Sequence, residues 1–268
     1  CMPVRRHKTD AHHTTPIDNF VESRNQLRKA QEENMETFLN LNNEGVEHLL
    51  DGNYADAEKS LKAAFMQVGE LHSKCTGLME QQQNKKMEKN QKNTTTKHQN
   101  FKNLVLQTRR VPDSAPMSQG QNYMYRYAIV GFLDPNVEEE TDMTSSDGLT
   151  AMVVFNIALC HHCNEKQYSR STSSRWKVLR FYRLAFRALQ SKPWQFHYTF
   201  KTMAIIGILN NMGVIHHKLR DFLESDSCFE KLQSLDVQDR LMLCFPDTRR
   251  GVFENLKSLV QIRPAPAA

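Results

Sequence analysis

The sequence lacks the long apolar run that a membrane helix needs. No stretch of the chain approaches the ~18–20 consecutive apolar residues that span a bilayer. Residues 1–8 carry charge with no apolar segment behind them, so they do not read as a secretory signal. These two absences predict a protein without a membrane span that stays inside the cell, in the cytoplasm or the nucleus.

The six cysteines lack the spacing of a disulfide framework. Most of them stand in apolar or helical contexts, which favours reduced, buried thiols. The block Cys160-His161-His162-Cys163 could ligate zinc or take part in redox chemistry, but no second Cys/His pair with finger spacing follows it. The sequence therefore predicts a structural role for this block.

The motifs of the common catalytic sites are also missing. The sequence has no glycine-rich phosphate loop, no nucleophile elbow and no metalloprotease helix. Its formal charge of +5, from 35 basic and 30 acidic residues, does not by itself require nucleic acid or a membrane surface as the partner. We therefore expect a protein that is not an enzyme and that uses no cofactor and no metal ion.

The chain does contain an internal repeat. The block at 41–48, Leu-Asn-Asn-Glu-Gly-Val-Glu-His, shares six of its eight residues with the block at 209–216, Leu-Asn-Asn-Met-Gly-Val-Ile-His. A third block, 154–161, fits the same frame with Ala158 in the glycine slot. Glycine inside a helix costs roughly 0.5–1 kcal/mol, so Gly45 and Gly213 in one slot indicate close contact with the next helix. Repeats of this kind are typical of stacked helical hairpins.

Composition divides the chain into five segments. Helical periodicity covers 18–78, with the first hairpin, and 149–262, with further hairpins and a closing helix. The insertion at 79–148 begins with a low-complexity stretch and then has aromatic and β-branched runs that favour two short strands. The polar ends, 1–17 and 263–268, are expected to be disordered tails.

The hairpins resemble the tetratricopeptide repeat. Residues 41–65 match best and 209–232 match more loosely; the motif positions are held by Leu41, Gly45, Gly52, Tyr54, Ala57, Ala64, Leu209, Gly213, Phe222 and Phe229. The resemblance implies a mainly α fold of antiparallel helical hairpins, that is, an α-α superhelix or right-handed solenoid. To this the insertion adds a small β-ribbon. Glu44 departs from the family pattern, which has an apolar residue there.

The resemblance also implies a binding face. In that family the first helix of each hairpin lines a concave groove, and Asn43, Asn156 and Asn211 share one slot on that face. Asparagine is unfavourable inside a helix, so three in register need a reason. They could bind the backbone of a partner or bind each other across hairpins. The candidate groove residues are Asn43, Val46, Phe155, Asn156, Leu159, Asn211, Val214 and His217.

His48, His161 and His216 share a second slot. Aligned imidazoles could bind a metal or respond to pH. Equivalent positions in stacked repeats point along the stack, however, and do not converge. We therefore predict histidines that pack in the seam between helices.

A basic run forms a further candidate site. Its cations alternate with aromatic side chains and are Arg175, Lys177, Arg180, Arg183 and Arg187. Nucleic acid or an acidic surface could bind there. A solvated outer face above a buried aromatic stripe is the plainer interpretation.

The sequence as a whole predicts a helical-repeat scaffold without enzymatic activity. We expect it to bind another protein or a peptide segment through the groove of its hairpins. The alternative is a basic protein that binds nucleic acid or an acidic surface through the helix at 175–187.

Overall fold

The structure, a computed structural model, describes residues 16–87, 104–112, 124–133, 146–164, 171–190, 198–235 and 251–257. Most of the two predicted tails and of the low-complexity stretch lies outside these residues. So do parts of the predicted closing helix. Within them, no helix is both long enough and apolar enough to cross a membrane.

Helices form most of the described chain. Their bounds, in chain order, are Pro16–Leu50 (α1), Tyr54–Met87 (α2), Ser146–Cys163 (α3), Thr172–Gln190 (α4), Tyr198–Lys218 (α5), Phe222–Ser234 (α6) and 251–257 (α7). Each helix from α1 to α5 packs against the next one in the chain. The mainly α prediction is therefore confirmed. The first helix of the predicted N-terminal hairpin is one continuous helix of 35 residues.

The two repeat blocks end in the same turn. After α1, Asn53 N–H donates to the His48 carbonyl at 2.8 Å, and Gly52 has a φ of +73°. After α5, Asp221 N–H donates to the His216 carbonyl at 3.0 Å, and Arg220 takes the left-handed φ of +62°. This pairing is the Schellman helix end, in which a left-handed residue reverses the chain. The sequence repeat is thus also a structural repeat.

Both repeated glycines lie where two helices approach closely. A Cβ built on Gly45 would lie 2.6 Å from Leu61 Cγ on α2, and one on Gly213 would lie 2.6 Å from the Phe229 ring on α6. Ser225 Oγ donates to the Gly213 carbonyl at 3.0 Å, which brings α6 against α5. The predicted reason for these glycines, close contact between the helices of one hairpin, is confirmed.

Alanine at Gly45 should destabilise the protein by about 1–3 kcal/mol, because its Cβ overlaps a buried leucine in a packed seam. Gly69 is the matched control: it is exposed on α2 and has no neighbouring atom within 4 Å of a built Cβ. Alanine there should stabilise by up to about 1 kcal/mol through helix propensity. Urea unfolding of both variants measures the difference, and equal effects would contradict this explanation.

The insertion contributes an antiparallel ribbon. Its strands are Leu104–Arg110 (β1) and Tyr127–Leu133 (β2), paired from Leu104 opposite Leu133 to Arg110 opposite Tyr127. The predicted small ribbon is therefore confirmed. Strand β2 packs against α1 and α3, and its residues 127–131 are buried. The inserted segment is thus part of the core.

Candidate functional site: an asparagine slot on the concave face

The repeated asparagines bind the backbone of the chain's own strand. Asn156 Oδ1 accepts the Ile129 N–H at 2.9 Å, while its Nδ2 donates to the Ile129 carbonyl at 2.7 Å. Asn211 makes the same pair of bonds with Tyr125, at 2.7 and 3.0 Å. A primary amide carries one acceptor and one donor group, so it can replace a neighbouring strand residue as a backbone partner.

The first hairpin repeats this contact. Asn43 Oδ1 accepts the Gly131 N–H at 3.1 Å, and Asn43 Nδ2 donates to the Gly131 carbonyl at 2.7 Å. Three helices, α1, α3 and α5, thus each present one asparagine to one residue of an extended segment. We call Asn43, Asn156 and Asn211 the asparagine slot. The extended segment 125–131, which includes most of β2, passes these asparagines in reverse order, from α5 to α1.

Hydrogen bonds between hairpins hold the slot as well. Asn156 Nδ2 donates to Asn42 Oδ1 at 2.9 Å, and Asn42 Nδ2 reaches the Ile129 carbonyl at 3.0 Å. Asn211 Nδ2 donates to the Tyr182 hydroxyl on α4 at 2.9 Å. The two reasons that the sequence offered for the repeated asparagines therefore occur together. Asn42, one residue before Asn43, thus belongs to the same hydrogen-bond network.

The ribbon stands edge-on to the helices. Opposite residues of an antiparallel pair alternate between those that exchange backbone hydrogen bonds and those whose backbone groups point outwards. Val111 N–H donates to the Arg126 carbonyl at 2.8 Å, so by register Ala128 and Val130 also bond to β1. The backbone groups of Ile129 and Gly131 then point away from β1, towards the asparagine slot.

Tyr125 is the buried anchor at the start of the extended segment. It is only 1% exposed, and its ring lies edge-on to Phe155 with 6.3 Å between centroids. A Cβ built on Gly207 would lie 2.5 Å from this ring. Helix α5 therefore needs glycine at 207 to admit the tyrosine. Neither residue was singled out in the sequence, since Gly207 lies outside the repeated block.

The other predicted groove residues are mostly enclosed. Val46, Phe155, Leu159 and Val214 are buried in the hydrophobic core. His217 is half-buried and packs edge-on against Phe222, with ring centroids 5.4 Å apart. The helix face predicted to receive a partner therefore already contacts residues 125–131 of the same chain.

The three histidines of the second repeated position do not form a cluster, and each lies next to a carboxylate. His48 Nε2 is 3.8 Å from Glu44, His161 Nε2 is 3.6 Å from Glu58, and His216 Nδ1 is 2.9 Å from Asp221. His161 also stacks on Phe181 with 5.4 Å between centroids. Among the residues that the structure describes, no cluster of three metal-ligating side chains occurs.

The Cys160–Cys163 block packs into the protein interior. Cys160 Sγ lies 3.5 Å from the Tyr54 carbonyl, and burial raises the pKa of its thiol to about 12. A thiol with so high a pKa is a poor nucleophile and a poor metal ligand at neutral pH. His162 Nδ1 lies 3.3 Å from the Tyr182 hydroxyl, so this block supports the slot through Tyr182.

Acid should destabilise the protein through these two histidines. Burial lowers the pKa of His161 to about 4, and the nearby Lys177 and Lys62 lower it further, although Glu58 acts in the opposite direction. Burial lowers the pKa of His162 to about 3, with smaller contributions in the same direction from Lys218 and Arg126. Because the unfolded imidazole titrates near 6.5, the unfolded chain takes up protons first as pH falls. The free energy of unfolding should decrease between about pH 6.5 and 5, by up to roughly 1.4 kcal/mol per pH unit for each histidine.

Urea unfolding at several pH values measures this slope. Glutamine at both positions removes the titrating groups and should flatten the slope between about pH 6.5 and 5, where few carboxylates titrate. A wild-type stability that stays constant over this range would contradict the predicted effect of buried, neutral histidines.

The predicted basic run divides into engaged and exposed cations. Arg175 donates to the Lys218 carbonyl at 3.2 Å, and Lys177 lies 3.9 Å from Glu58. Arg183 lies 3.4 Å from His216 Nε2 and above the Trp176 ring. Arg180 and Arg187 are exposed. The run thus presents fewer cations to a partner than its sequence indicates.

No protein-family model, no curated protein and no solved structure matches this chain. The resemblance to the tetratricopeptide repeat therefore stays a prediction from the motif positions in 41–65 and 209–232.

Proposed function

We propose that this protein is an intracellular scaffold without enzymatic activity, whose tetratricopeptide-like hairpins bind an extended segment of another protein on their concave face. One observation carries the proposal: Asn43, Asn156 and Asn211 each bind both backbone groups of one residue in an extended strand. These contacts are made to the backbone of the chain's own residues 125, 129 and 131, so a partner strand would meet the ribbon that the asparagines hold and not the asparagines themselves.

The ribbon covers part of the proposed concave face and so determines which surface a partner can contact. Residues 127–131 of β2 are buried on both faces of the strand, and Tyr125 fills the space above Gly207. Expelling this segment would expose several large apolar side chains, at ~1.5–3 kcal/mol for each. The proposed binding surface is therefore the concave face as completed by the ribbon, with β1 outermost.

Panning a random peptide library on the full chain tests this function. Phage-displayed peptides of about twelve residues suffice, since this length exceeds one strand. Hydrogen exchange of the chain with and without an enriched peptide then locates the binding surface. We expect enriched peptides that slow exchange at the ribbon and at α1 or α3. A library that yields no binder, or binders that protect only other surfaces, would contradict the proposal.

A second candidate function rests on the outer face of α4. Trp176, Arg180, Leu184 and Arg187 follow at the helical spacing of one face, and all four are exposed. An acidic partner fits this basic and apolar stripe. Two exposed arginines can neutralise only about two phosphates, so the logarithm of the DNA-binding constant should fall with the logarithm of salt concentration with a slope of only about −2. Nucleic acid is therefore the weaker fit.

Charge reversal tests this candidate. Glutamate at Arg180 and Arg187 should abolish binding of a fluorescent oligonucleotide or of an acidic peptide, if either binds the wild-type chain. Binding that persists in this variant, or that does not weaken between about 50 and 200 mM salt, would exclude the stripe as the site.

A further inference from the structure

Helix α4 carries side-chain charge of one sign only. Its 19 residues include four arginines and one lysine but no aspartate or glutamate. Its main packing neighbours add little negative charge, since α5 has no acidic residue and α3 has only Asp147, in its first turn. Exposed helix faces usually mix both signs, so that residues three or four positions apart form pairs. On α4 no such pair within the helix can form.

Two of these cations remain for a partner to meet. Arg175, Lys177 and Arg183 contact neighbouring helices, as described above. Arg180 and Arg187 are exposed, and within the described part of the chain neither forms an ion pair or a hydrogen bond. The positive charge of these two arginines is therefore not neutralised by a neighbouring side chain.

Exposed apolar side chains alternate with the two arginines. Trp176 is 39% exposed and Leu184 is 42% exposed. Together with Arg180 and Arg187 they lie on one face of α4, because the four positions follow at intervals of four, four and three residues. We call these four residues the α4 stripe. It offers a partner two charges and, beside them, apolar surface whose burial favours association.

The spacing within the α4 stripe favours a helix as its occupant. Arg180 and Arg187 are seven positions apart, which is about 10.5 Å along the helix axis. A partner helix lying along α4 places side chains seven positions apart on one face, at this same interval. On a strand, the side chains of one face lie about 6.7 or about 13.4 Å apart, because only alternate residues point the same way. An extended partner therefore misses the second arginine by about 3–4 Å.

We propose that the α4 stripe binds an acidic amphipathic helix of another protein. Two acidic residues of that helix stand seven positions apart, opposite Arg180 and Arg187, and an apolar residue between them packs on Leu184. A further apolar residue, one turn beyond the pair, packs on the exposed part of Trp176. Helices that cross at about 20° keep such contacts over several turns. This inference names the partner of the second candidate function and rests on it, and it does not depend on strand binding at the concave face.

Selection from a library of displayed helices tests the proposal. The probe is a small three-helix bundle with one outer helix face randomised, since a lone short helix is only marginally stable in water. Bundles enriched on the full chain should carry two acidic residues seven positions apart with an apolar residue between them. Arg180→Glu combined with Arg187→Glu should weaken their binding about five- to thirtyfold in fluorescence anisotropy, because two ion pairs are lost.

Lys231 and Lys257 provide the matched control. Both are exposed, on α6 and α7, and Lys231→Glu with Lys257→Glu changes the net charge by the same amount away from α4. This variant should bind the enriched bundles as the wild type does at about 0.15 M salt, where distant charges are screened. Bundles with lysine in place of both acidic residues should bind the chain with Arg180→Glu and Arg187→Glu better than the wild type. Such a reversal of preference requires a folded variant.

The outcomes that contradict the proposal are distinct. Enriched bundles that bind the wild type and the charge-reversed chain equally well, or a library without any binder, would overturn it. If an acidic peptide depends on Arg180 and Arg187 while enriched bundles lack the seven-residue spacing, the helical partner is wrong and the second candidate function stands. If neither peptide nor bundle responds to the charge reversal, both fail. Phosphatidylserine vesicles that compete with the bundles and lose binding on the same reversal would assign the α4 stripe to an anionic lipid surface instead.

Discussion

Alanine at Asn156 should lower the free energy of unfolding by about 3–5 kcal/mol. The asparagine is fully buried and bonds to the Ile129 N–H, the Ile129 carbonyl and Asn42. Its loss leaves the buried Ile129 N–H and Asn42 Oδ1 without these partners, and each unsatisfied buried group costs about 1–3 kcal/mol. Urea or thermal unfolding of the purified variant measures the loss.

Asn40 offers a matched control for this substitution. It lies on α1 and is exposed, so Asn40→Ala makes the same chemical change without breaking a buried network. Alanine there should be neutral or stabilise by a few tenths of a kcal/mol, up to about 0.5 kcal/mol, since it favours the helix. If Asn156→Ala behaved like Asn40→Ala, the asparagine slot would not hold the ribbon.

Alanine at Tyr125 should be similarly damaging, by about 3–5 kcal/mol. The tyrosine ring is buried between Gly207, Phe155 and Tyr127, the last with 5.3 Å between ring centroids. Helix α5 carries glycine where the ring lies, so no neighbouring side chain at 207 can fill the cavity. Thermal or urea unfolding again provides the measurement.

Phe132 is the control for Tyr125, because it is an aromatic residue of the same ribbon but is 44% exposed. Phe132→Ala should cost about 1 kcal/mol or less, in proportion to the small apolar area that it buries. A comparable loss in both variants would mean that the ribbon is not anchored at Tyr125.

The asparagine slot could be predicted from the sequence, whereas its occupant could not. The repeat frame aligns Asn43, Asn156 and Asn211. Asparagine is unfavourable inside a helix, so three of them in register indicate a specific hydrogen-bonding role. Their strand partners lie 88, 27 and 86 residues away in the chain. Pairings at such separations are set by tertiary packing, and the hydrophobic periodicity of one segment does not show which distant residues it contacts.

The basic run is a second feature that the sequence could predict only in part. The sequence shows how many cations α4 carries, but not which of them meet acceptors on neighbouring helices. Arg175 lies 43 residues from its acceptor on Lys218, and Arg183 lies 33 residues from His216. By contrast, the reason for Gly45 and Gly213 could be predicted, since a repeated cost in helix propensity indicates a contact within the hairpin.

Amide hydrogen exchange by NMR tests the central claim most directly. In a ribbon away from the helices, Ala128 and Val130 would be protected by β1, while the amides of Ile129 and Gly131 would face water. With the ribbon edge-on to the helices, the amides of Tyr125, Ile129 and Gly131 donate to asparagine side chains instead. Ile129 should therefore exchange as slowly as Ala128. Fast exchange at Ile129 beside slow exchange at Ala128 would contradict it.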